Sequence, residues 1–136
     1  MYESLRDAIN SKDSLARHLG ITVEEMRKGY AKAILPHSES VCNGFGNLHG
    51  GASFTLADMA FAGVALADNI ATVNISSSIS FTAAGKQGPY TAIAKLISES
   101  RKLCTIEVLI TDSEDNLIAV FTGTGYRMGK PYLDEA

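Results

Sequence analysis

Hydrophobic and polar positions alternate with two different periods along the chain. In residues 2–19, apolar side chains recur among charged neighbours at roughly helical spacing, although the sequence SKDS at positions 11–14 interrupts them. This pattern predicts one helix or two short helices, with Gly20 as the C-terminal stop. Residues 21–35 alternate instead on both sides of the turn signal RKG, and they therefore predict a hairpin of two strands.

A long apolar segment follows a polar stretch at residues 37–48, which we expect to be a loop. Residues 50–67 contain six alanines, three glycines and a single carboxylate, Asp58. A membrane span would be more strongly apolar and would not carry a charge at its centre. The segment therefore predicts a buried helix within a folded domain.

The remainder of the chain is strand-like. Four stretches of alternating or β-branched residues are separated by the turn signals GKQGP, RK and DSEDN. Short joints of this kind favour an antiparallel meander. Together with the hairpin, they predict a single α+β domain over residues 1–136, in which a curved antiparallel sheet of five or six strands wraps around the buried helix.

Composition narrows the classes of partner. The chain has 136 residues, 46% of them hydrophobic, and a net charge of −3 with its basic residues scattered, which argues against nucleic acid as a partner. The two cysteines, Cys42 and Cys104, and the histidines His18 and His37 are not spaced as metal ligands, so we expect no metal and no cofactor. The charged N-terminus lacks the apolar core of a signal peptide, so we expect a cytoplasmic protein without a membrane partner.

The sequence HGG at the start of the apolar segment is the first candidate for chemistry. If a helix begins here, the amides of its first turn have no partner within the helix, and glycine lets another group approach them closely. Such amides, aided by the helix dipole, stabilise a carbonyl oxygen that gains negative charge. The alternative explanation of Gly50 and Gly51 is close packing of the helix against the sheet.

Asp58 is a stronger signal. At helical spacing its neighbours are apolar, Phe54 among them, and Thr55 is its one polar companion. Burial of an unpaired carboxylate is strongly unfavourable, so a reactive carboxylate in a cleft is one interpretation. The other is a structural carboxylate that accepts hydrogen bonds from a neighbouring loop or from a partner chain.

Asn43 and His49 belong to the loop NGFGNLHGG, which concentrates groups that hydrogen-bond a carbonyl or a water. Taken singly, His49 could cap the helix and Asn43 could hold the turn at Gly44. The serine run at residues 76–78 lacks a nucleophile-elbow motif, so a serine hydrolase is not indicated.

The spacing of Asn43, the HGG sequence and Asp58, leading into an alanine-rich helix, resembles the motif of PaaI-like acyl-CoA thioesterases of the hotdog fold. The similarity continues in LGITVEEMRKGYAKAILP, which resembles the first hairpin of the family, and in SISFTAAGKQG, which resembles the strand and turn after the central helix. The resemblance implies the hotdog fold and hydrolysis of acyl-CoA, with aryl-acetyl or medium-length acyl groups as in phenylacetate degradation.

The resemblance also implies roles for four residues. Asp58 matches the nucleophile or general base, and the amide of Gly50 matches the group that polarises the thioester carbonyl. Asn43 matches a residue that positions the attacking water or the base, and His49 matches a histidine that shapes the oxyanion loop.

Further residues are expected to contact the substrate. Where many relatives carry Ser or Thr to assist the water, this chain has Asn74, so either Asn74 or Ser76 takes that role. Phe54, Met59 and Phe61 are candidates for the lining of the acyl site. The expected substrate-binding residues are Gly51, Phe54, Thr55, Asn74, Ser76, Lys86, Arg101 and Lys102, the last three as candidates for the CoA phosphates.

The spacing of the motif has a consequence for assembly. In one straight helix the Gly50 amide and the Asp58 carboxylate are separated by ~12 Å, at about 1.5 Å per residue, which is too far for both to act on one carbonyl carbon. A two-fold dimer would bring Asp58 of one chain to the His49-Gly50 loop of its partner. The resemblance likewise implies a homodimer with shared active sites, often paired into a homotetramer.

Two other functions remain open. A hotdog hydratase or dehydratase would use His49 and Asp58 to move protons at the α and β carbons, although dehydratases of this fold do not usually carry HGG with an aspartate nine residues after the histidine. A non-catalytic module that binds acyl-CoA as a sensor would usually be joined to a DNA-binding domain, for which we expect no room in 136 residues.

Overall fold

The computed structural model describes residues 1–134 and shows an antiparallel sheet that curves around one helix. The helices are α1 (Tyr2–Lys12), α2 (Ser14–Leu19) and α3 (Gly50–Ala65), with a 3₁₀ turn at Glu39–Val41. The strands are β1 (Thr22–Arg27), β2 (Tyr30–Leu35), β3 (Ile70–Phe81), β4 (Tyr90–Glu99), β5 (Leu103–Thr111) and β6 (Leu117–Pro131). This arrangement confirms the predicted hotdog fold with a six-stranded sheet.

The N-terminal stretch forms two helices, which break at Asp13. This residue has extended backbone angles, and its carboxylate accepts a hydrogen bond from the Ala16 amide at 2.9 Å, so it caps α2. Gly20 ends α2 in the left-handed conformation at φ 85°, as the sequence predicts. Leu5 and Ile9 of α1 are buried against the rest of the domain.

The strands lie in the order β1-β2-β4-β5-β6-β3, and neighbouring strands are antiparallel. The predicted hairpin β1–β2 is confirmed, and β4, β5 and β6 form a meander. The prediction that β3 continues directly into this meander is wrong, because β3 pairs with β6 at the far edge and β2 pairs with β4.

Residues 82–89 connect β3 to β4 across the sheet rather than in a hairpin turn. Gly85 is buried within this connection, and a Cβ atom at Gly85 would lie 2.9 Å from Leu48 Cβ and 3.0 Å from Ile118 Cδ1. The connection therefore passes beneath the loop that precedes α3, which is a tertiary contact that the local turn signal does not encode.

Helix α3 contacts all six strands and forms the centre of the core. Close approach depends on glycines, since a Cβ atom at Gly63 would lie 2.6 Å from Ala31 Cβ and one at Gly123 would lie 2.9 Å from Phe61. Within residues 1–134, the helices are too short or too polar to span a membrane.

Candidate active site

One face of α3 is not covered by the sheet. Ten of the sixteen residues of α3 are buried. Five of the remaining residues recur at helical spacing and form a stripe along one face, which we call the open stripe: Gly51, Phe54, Thr55, Asp58 and Ala62. The expectation of a helix wrapped on most sides is therefore met except along the face that carries Asp58.

Asp58 lies half-buried at the centre of the open stripe, beside β3. Its Oδ1 accepts a hydrogen bond from Asn74 Nδ2 at 3.3 Å. The two side chains, together with Phe54 and residues 75–77, line a shallow groove of about 430 Å³. We call this groove the carboxylate groove.

Asn74 is held so that its amino group points at Asp58. The Oδ1 atom of Asn74 accepts a hydrogen bond from the Ser76 amide at 3.2 Å, which leaves Nδ2 as the donor toward the carboxylate. The register of β3 against β6 shifts between Asn74 and Ser76, so a bulge at Ile75 produces this local geometry. Of the two residues that the sequence left as alternatives, Asn74 is therefore the one in contact with Asp58.

The environment of Asp58 shifts its acid strength in two opposing directions. Burial raises the pKa of the Asp58 carboxyl above its ordinary value, because the charged form loses contact with water. The hydrogen bond from Asn74 lowers that pKa, and the negative charge of Asp13 raises it. The net direction is upward, which makes the Asp58 carboxylate more basic than a solvated aspartate.

The first turn of α3 leaves two backbone amides without an acceptor among the described residues. The His49 side chain caps the helix, because its Nδ1 accepts a hydrogen bond from the Gly51 amide at 2.8 Å. This confirms the predicted cap and uses the Gly51 amide. The amides of Gly50 and Ala52 have no hydrogen-bond acceptor in residues 1–134. Because Ala52 is buried and Gly50 lines a groove, the Gly50 amide is the donor that a ligand can reach.

Gly50 lies in a second groove of about 420 Å³, which Asn43, Leu48 and Phe81 also line. We call it the amide groove. The ring of Phe81 covers Gly50, since a Cβ atom at Gly50 would lie 3.1 Å from Phe81 Cζ.

Asn43 holds the loop that forms one wall of the amide groove. Its Oδ1 accepts hydrogen bonds from the amides of Phe45 at 2.9 Å and Asn47 at 3.2 Å, and its own amide donates to the Asn47 carbonyl at 2.7 Å. The predicted turn-forming role is confirmed, and Gly46 at φ 79° completes the turn.

Asp58 and Gly50 do not line a common groove in one chain. They are eight residues apart in a continuous helix, which corresponds to ~12 Å along the axis. The amide groove contains Gly50 and Asn43, whereas the carboxylate groove contains Asp58 and Asn74. A single chain therefore holds the Gly50 amide and the Asp58 carboxylate in separate grooves.

The basic residues expected at the CoA phosphates fall into two places. Arg101 and Lys102 lie together in a third groove of about 600 Å³, which we call the cationic groove. Lys86 lies elsewhere, beside Asp112 and Glu114.

Arg127 and Lys130 also line the cationic groove, and sequence reasoning missed both. The Arg127 amide donates to the Lys102 carbonyl at 2.8 Å, and its guanidinium lies 2.6 Å from Glu99. No sequence signal links these residues to Arg101, because only the pairing of β6 with β5 brings them beside the β4–β5 turn.

Three other candidate residues have mainly packing roles. Thr55 Oγ1 donates to the Gly51 carbonyl at 2.9 Å within the helix. Met59 and Phe61 are buried, and Phe61 packs against Phe121. Of the three candidates for the acyl lining, Phe54 is the one that lines the carboxylate groove, whereas Met59 lines a separate hollow of about 210 Å³ beside Lys12 and Tyr132. In the part of the chain that the structure describes, no three His, Cys, Asp or Glu side chains are grouped closely enough to hold a metal ion.

Comparison with known proteins places this geometry in a family. The sequence model of the thioesterase superfamily matches residues 45–119. This range covers more than half of the chain and includes Gly50, Asp58 and Asn74. The chain belongs to the thioesterase superfamily. The predicted family resemblance is therefore confirmed.

Individual relatives agree with this membership. The chain is 29% identical over 130 residues to the acyl-coenzyme A thioesterase PaaI of Escherichia coli K12, covering 95% of this chain and 93% of the relative. The solved E. coli PaaI structure, from the phenylacetic acid degradation operon, superposes with a TM-score of 0.86 at 28% identity over 96% of this chain and 95% of that one. A protein of Streptococcus pneumoniae TIGR4 described as a hypothetical thioesterase, solved with coenzyme A, superposes with a TM-score of 0.77 at 29% identity over 82% of this chain and 88% of that one.

Proposed function

We propose that the protein is an acyl-CoA thioesterase that releases a free acid and CoA. The observation that carries the proposal is the half-buried Asp58 carboxylate on the open stripe, held by Asn74 and made more basic by burial. Membership of the thioesterase superfamily and similarity to the E. coli acyl-CoA thioesterase support the same reaction. No cofactor is needed in this proposal, because the base and the oxyanion donor are both groups of the protein.

Two routes use this carboxylate. As a nucleophile, Asp58 attacks the thioester carbonyl carbon, the C–S bond breaks, CoA leaves as the thiolate, and water then hydrolyses the acyl anhydride. As a general base, Asp58 takes a proton from a water whose oxygen attacks the same carbon, and the collapse of the tetrahedral intermediate expels the thiolate. In both routes the Gly50 amide donates to the oxygen that becomes negative.

We propose a site shared between two chains, because one chain holds the Gly50 amide and the Asp58 carboxylate in separate grooves. The carboxylate groove of one chain and the amide groove of its partner together contain the two groups that one carbonyl needs. The uncovered stripe of α3 supports a dimer, and so does β3, an edge strand with exposed Val73 and Ile75. We propose a homodimer built in this way, with a dimer of dimers as the larger assembly.

The proposal extends to the acyl group of the substrate and to the cellular compartment. An aryl-acetyl or medium-length acyl group is proposed because Phe54 lines the carboxylate groove and because the E. coli relative comes from the phenylacetic acid degradation operon. The free thiols of Cys42 and Cys104 support a reducing cytoplasm as the place of action.

The test of the function is thiol release from a panel of acyl-CoA thioesters, with aryl-acetyl, medium-chain and enoyl members. Thiol release from at least one saturated or aryl member, proportional to enzyme, is the expected result. Loss of the enoyl double bond without thiol release would replace this proposal with the hydratase. Binding of acyl-CoA with neither reaction would replace it with the non-catalytic module.

The cationic groove is proposed to bind the phosphates of CoA. Ile70 lines it at one end of β3, and Asn74 lies four residues further along the strand, or ~13 Å at about 3.3 Å per residue. A pantetheine arm lying along β3 would connect the two grooves. Arg101, Lys102 and Lys130 provide the charge-assisted hydrogen bonds that phosphates favour, whereas Arg127 is already paired with Glu99.

A double substitution, Arg101→Ala with Lys102→Ala, is expected to raise KM for acyl-CoA at least about tenfold with little change in kcat, because each charge-assisted hydrogen bond contributes roughly 1.5–3 kcal/mol and the phosphates do not react. Lys86→Ala serves as the matched control, and its KM is expected to stay within about twofold. A larger effect from Lys86 than from the double variant would move the phosphate site to the groove beside Asp112.

Asn74 is expected to set the pH dependence of turnover. Asp58 must be ionised to act, and the Asn74 hydrogen bond lowers the Asp58 pKa. Asn74→Leu removes that donor, so the pKa rises further and the acid limb of the kcat profile moves to higher pH. Asn74→Ser, which retains a donor group, should move the limb less, as measured by kcat between about pH 4 and pH 8. An unchanged acid limb in Asn74→Leu would contradict the assigned contact.

A further inference from the structure

The backbone carbonyl of Gly85 accepts hydrogen bonds both from the loop before α3 and from a buried side chain of the core. It accepts a hydrogen bond from the Leu48 amide at 2.7 Å and one from the Tyr90 hydroxyl at 3.3 Å. Leu48 directly precedes His49 and Gly50, the cap and the first residue of α3. The position of the Gly50 amide therefore depends on what holds the Gly85 carbonyl.

Tyr90 is a rigid support for this carbonyl. It is the first residue of β4, it is fully buried, and its backbone pairs with Leu35 of β2. Its hydroxyl also lies 2.9 Å from His37 Nδ1. With His37 Nδ1 as the donor, the Tyr90 hydroxyl accepts from His37 and donates its single proton to the Gly85 carbonyl.

Residues 82–89 also pack closely against the loop at residues 37–48 in two places. A Cβ atom at Gly85 would lie 2.9 Å from Leu48 Cβ, and one at Gly88 would lie 2.6 Å from His37 Cβ. His37 and Leu48 mark the two ends of the loop that carries Asn43. The connection at residues 82–89 is thus pressed against both ends of that loop, with the Tyr90 hydroxyl between them.

We propose that Tyr90 and His37 are positioning residues for the reaction, which hold the Gly50 amide at the oxyanion through Gly85 and Leu48. The inference rests on the proposed function. Neither side chain touches the substrate, and both act through backbone groups. Because an oxyanion donor contributes mainly in the transition state, loosening its support lowers kcat and leaves KM unchanged.

The kinetic test uses Tyr90→Phe and His37→Leu, each of which removes one polar group. Each is expected to lower kcat about tenfold with KM within about twofold, since small misplacements of catalytic groups lower rates by up to about 10²-fold. His37→Asn, whose side chain retains a polar group near the Nδ1 position, should recover most of the rate. The double variant Tyr90→Phe with His37→Leu should be no worse than the poorer single variant, because the two act through one hydroxyl.

Tyr30→Phe is the matched control. The Tyr30 hydroxyl lies on β2 near Glu25, away from the loop, so kcat should equal that of the wild type. Wild-type kcat in Tyr90→Phe, or a kcat no better in His37→Asn than in His37→Leu, would overturn the proposal.

A second readout does not depend on activity. Hydrogen exchange of the Leu48 amide is expected to accelerate at least about tenfold in Tyr90→Phe, while that of Val108, in the middle of β5, stays unchanged. Equal acceleration at both amides would mean a loss of global stability and would overturn the positioning role, as would no change at Leu48. If the wild type releases no thiol, the proposed thioesterase function fails, and the exchange result still decides whether Tyr90 holds the loop.

Discussion

Asp58→Asn is expected to lower kcat for acyl-CoA hydrolysis by about 10²- to 10⁴-fold, the contribution typical of a general base, with a larger loss if Asp58 is the nucleophile. The substitution keeps the shape of the side chain and an oxygen that can accept from Asn74 Nδ2. It removes the negative charge that either route requires. The measurement is initial thiol release at saturating acyl-CoA.

Stability separates a chemical effect from unfolding. The folded-state pKa of Asp58 is raised, so the folded protein binds this proton more tightly than the unfolded chain does. Stability is therefore lost as the pH rises from the unfolded pKa through the folded pKa, and the loss is complete above the folded pKa. Asparagine avoids this loss, so the thermal midpoint of Asp58→Asn at pH 7 should equal or exceed that of the wild type.

Asp68→Asn is the matched control for the charge change. Asp68 pairs with Lys28 on the surface, outside the three grooves. The kcat of Asp68→Asn should therefore stay within about twofold of the wild-type value. Near-native kcat in Asp58→Asn, at an unchanged thermal midpoint, would remove Asp58 from the chemistry.

A mixture of two inactive variants is expected to regain activity. One chain carries Asp58→Asn, and the other carries Gly50→Pro, which deletes the oxyanion amide. Proline fits the first position of a helix, and the preceding His49 already has φ −64° and ψ 137°, angles that a residue before proline adopts. Loss of one oxyanion donor should lower kcat of Gly50→Pro alone by about 10²- to 10³-fold.

The expected recovery follows from counting shared sites. In a heterodimer, one site combines both defects and the other combines an intact Asp58 with an intact Gly50. Random exchange of equal amounts makes half of the dimers heterodimers, so about a quarter of the wild-type activity should return. Heterodimer content is measured by native mass spectrometry on the same samples.

Gly50→Ala provides the control for the added side-chain atoms. It retains the amide and places a Cβ atom 3.1 Å from the exposed ring of Phe81, as proline also would, so its kcat should stay within about threefold of the wild type. Mixtures that remain at the mean activity of their parents, although heterodimers are present, would mean that each chain holds a complete site. Full wild-type activity in a monomer would mean the same.

Local sequence patterns determined most of the elements and the chemistry of the motif. The apolar run at residues 50–67 predicted α3, because a helix of small apolar side chains can be buried on most of its sides. The helix stop at Gly20, the cap at His49 and the turn at Asn43 are also readable from the sequence, since each depends on hydrogen bonds or backbone angles within a few residues. These interactions are short in range, and the residue types that make them are few.

Only the tertiary structure decided which distant residues meet. The pairing of β3 with β6 corrected the predicted place of β3 in the meander, which consists of β4, β5 and β6, and residues 82–89 connect β3 to β4 beneath the loop before α3. The pairing of β3 with β6 placed Asn74 beside Asp58, and the pairing of β6 with β5 gathered Arg127 and Lys130 beside Arg101. Strand alternation specifies which side of a sheet a residue faces and leaves open which strand lies next to it, so contacts across strands depend on the packing of the whole domain.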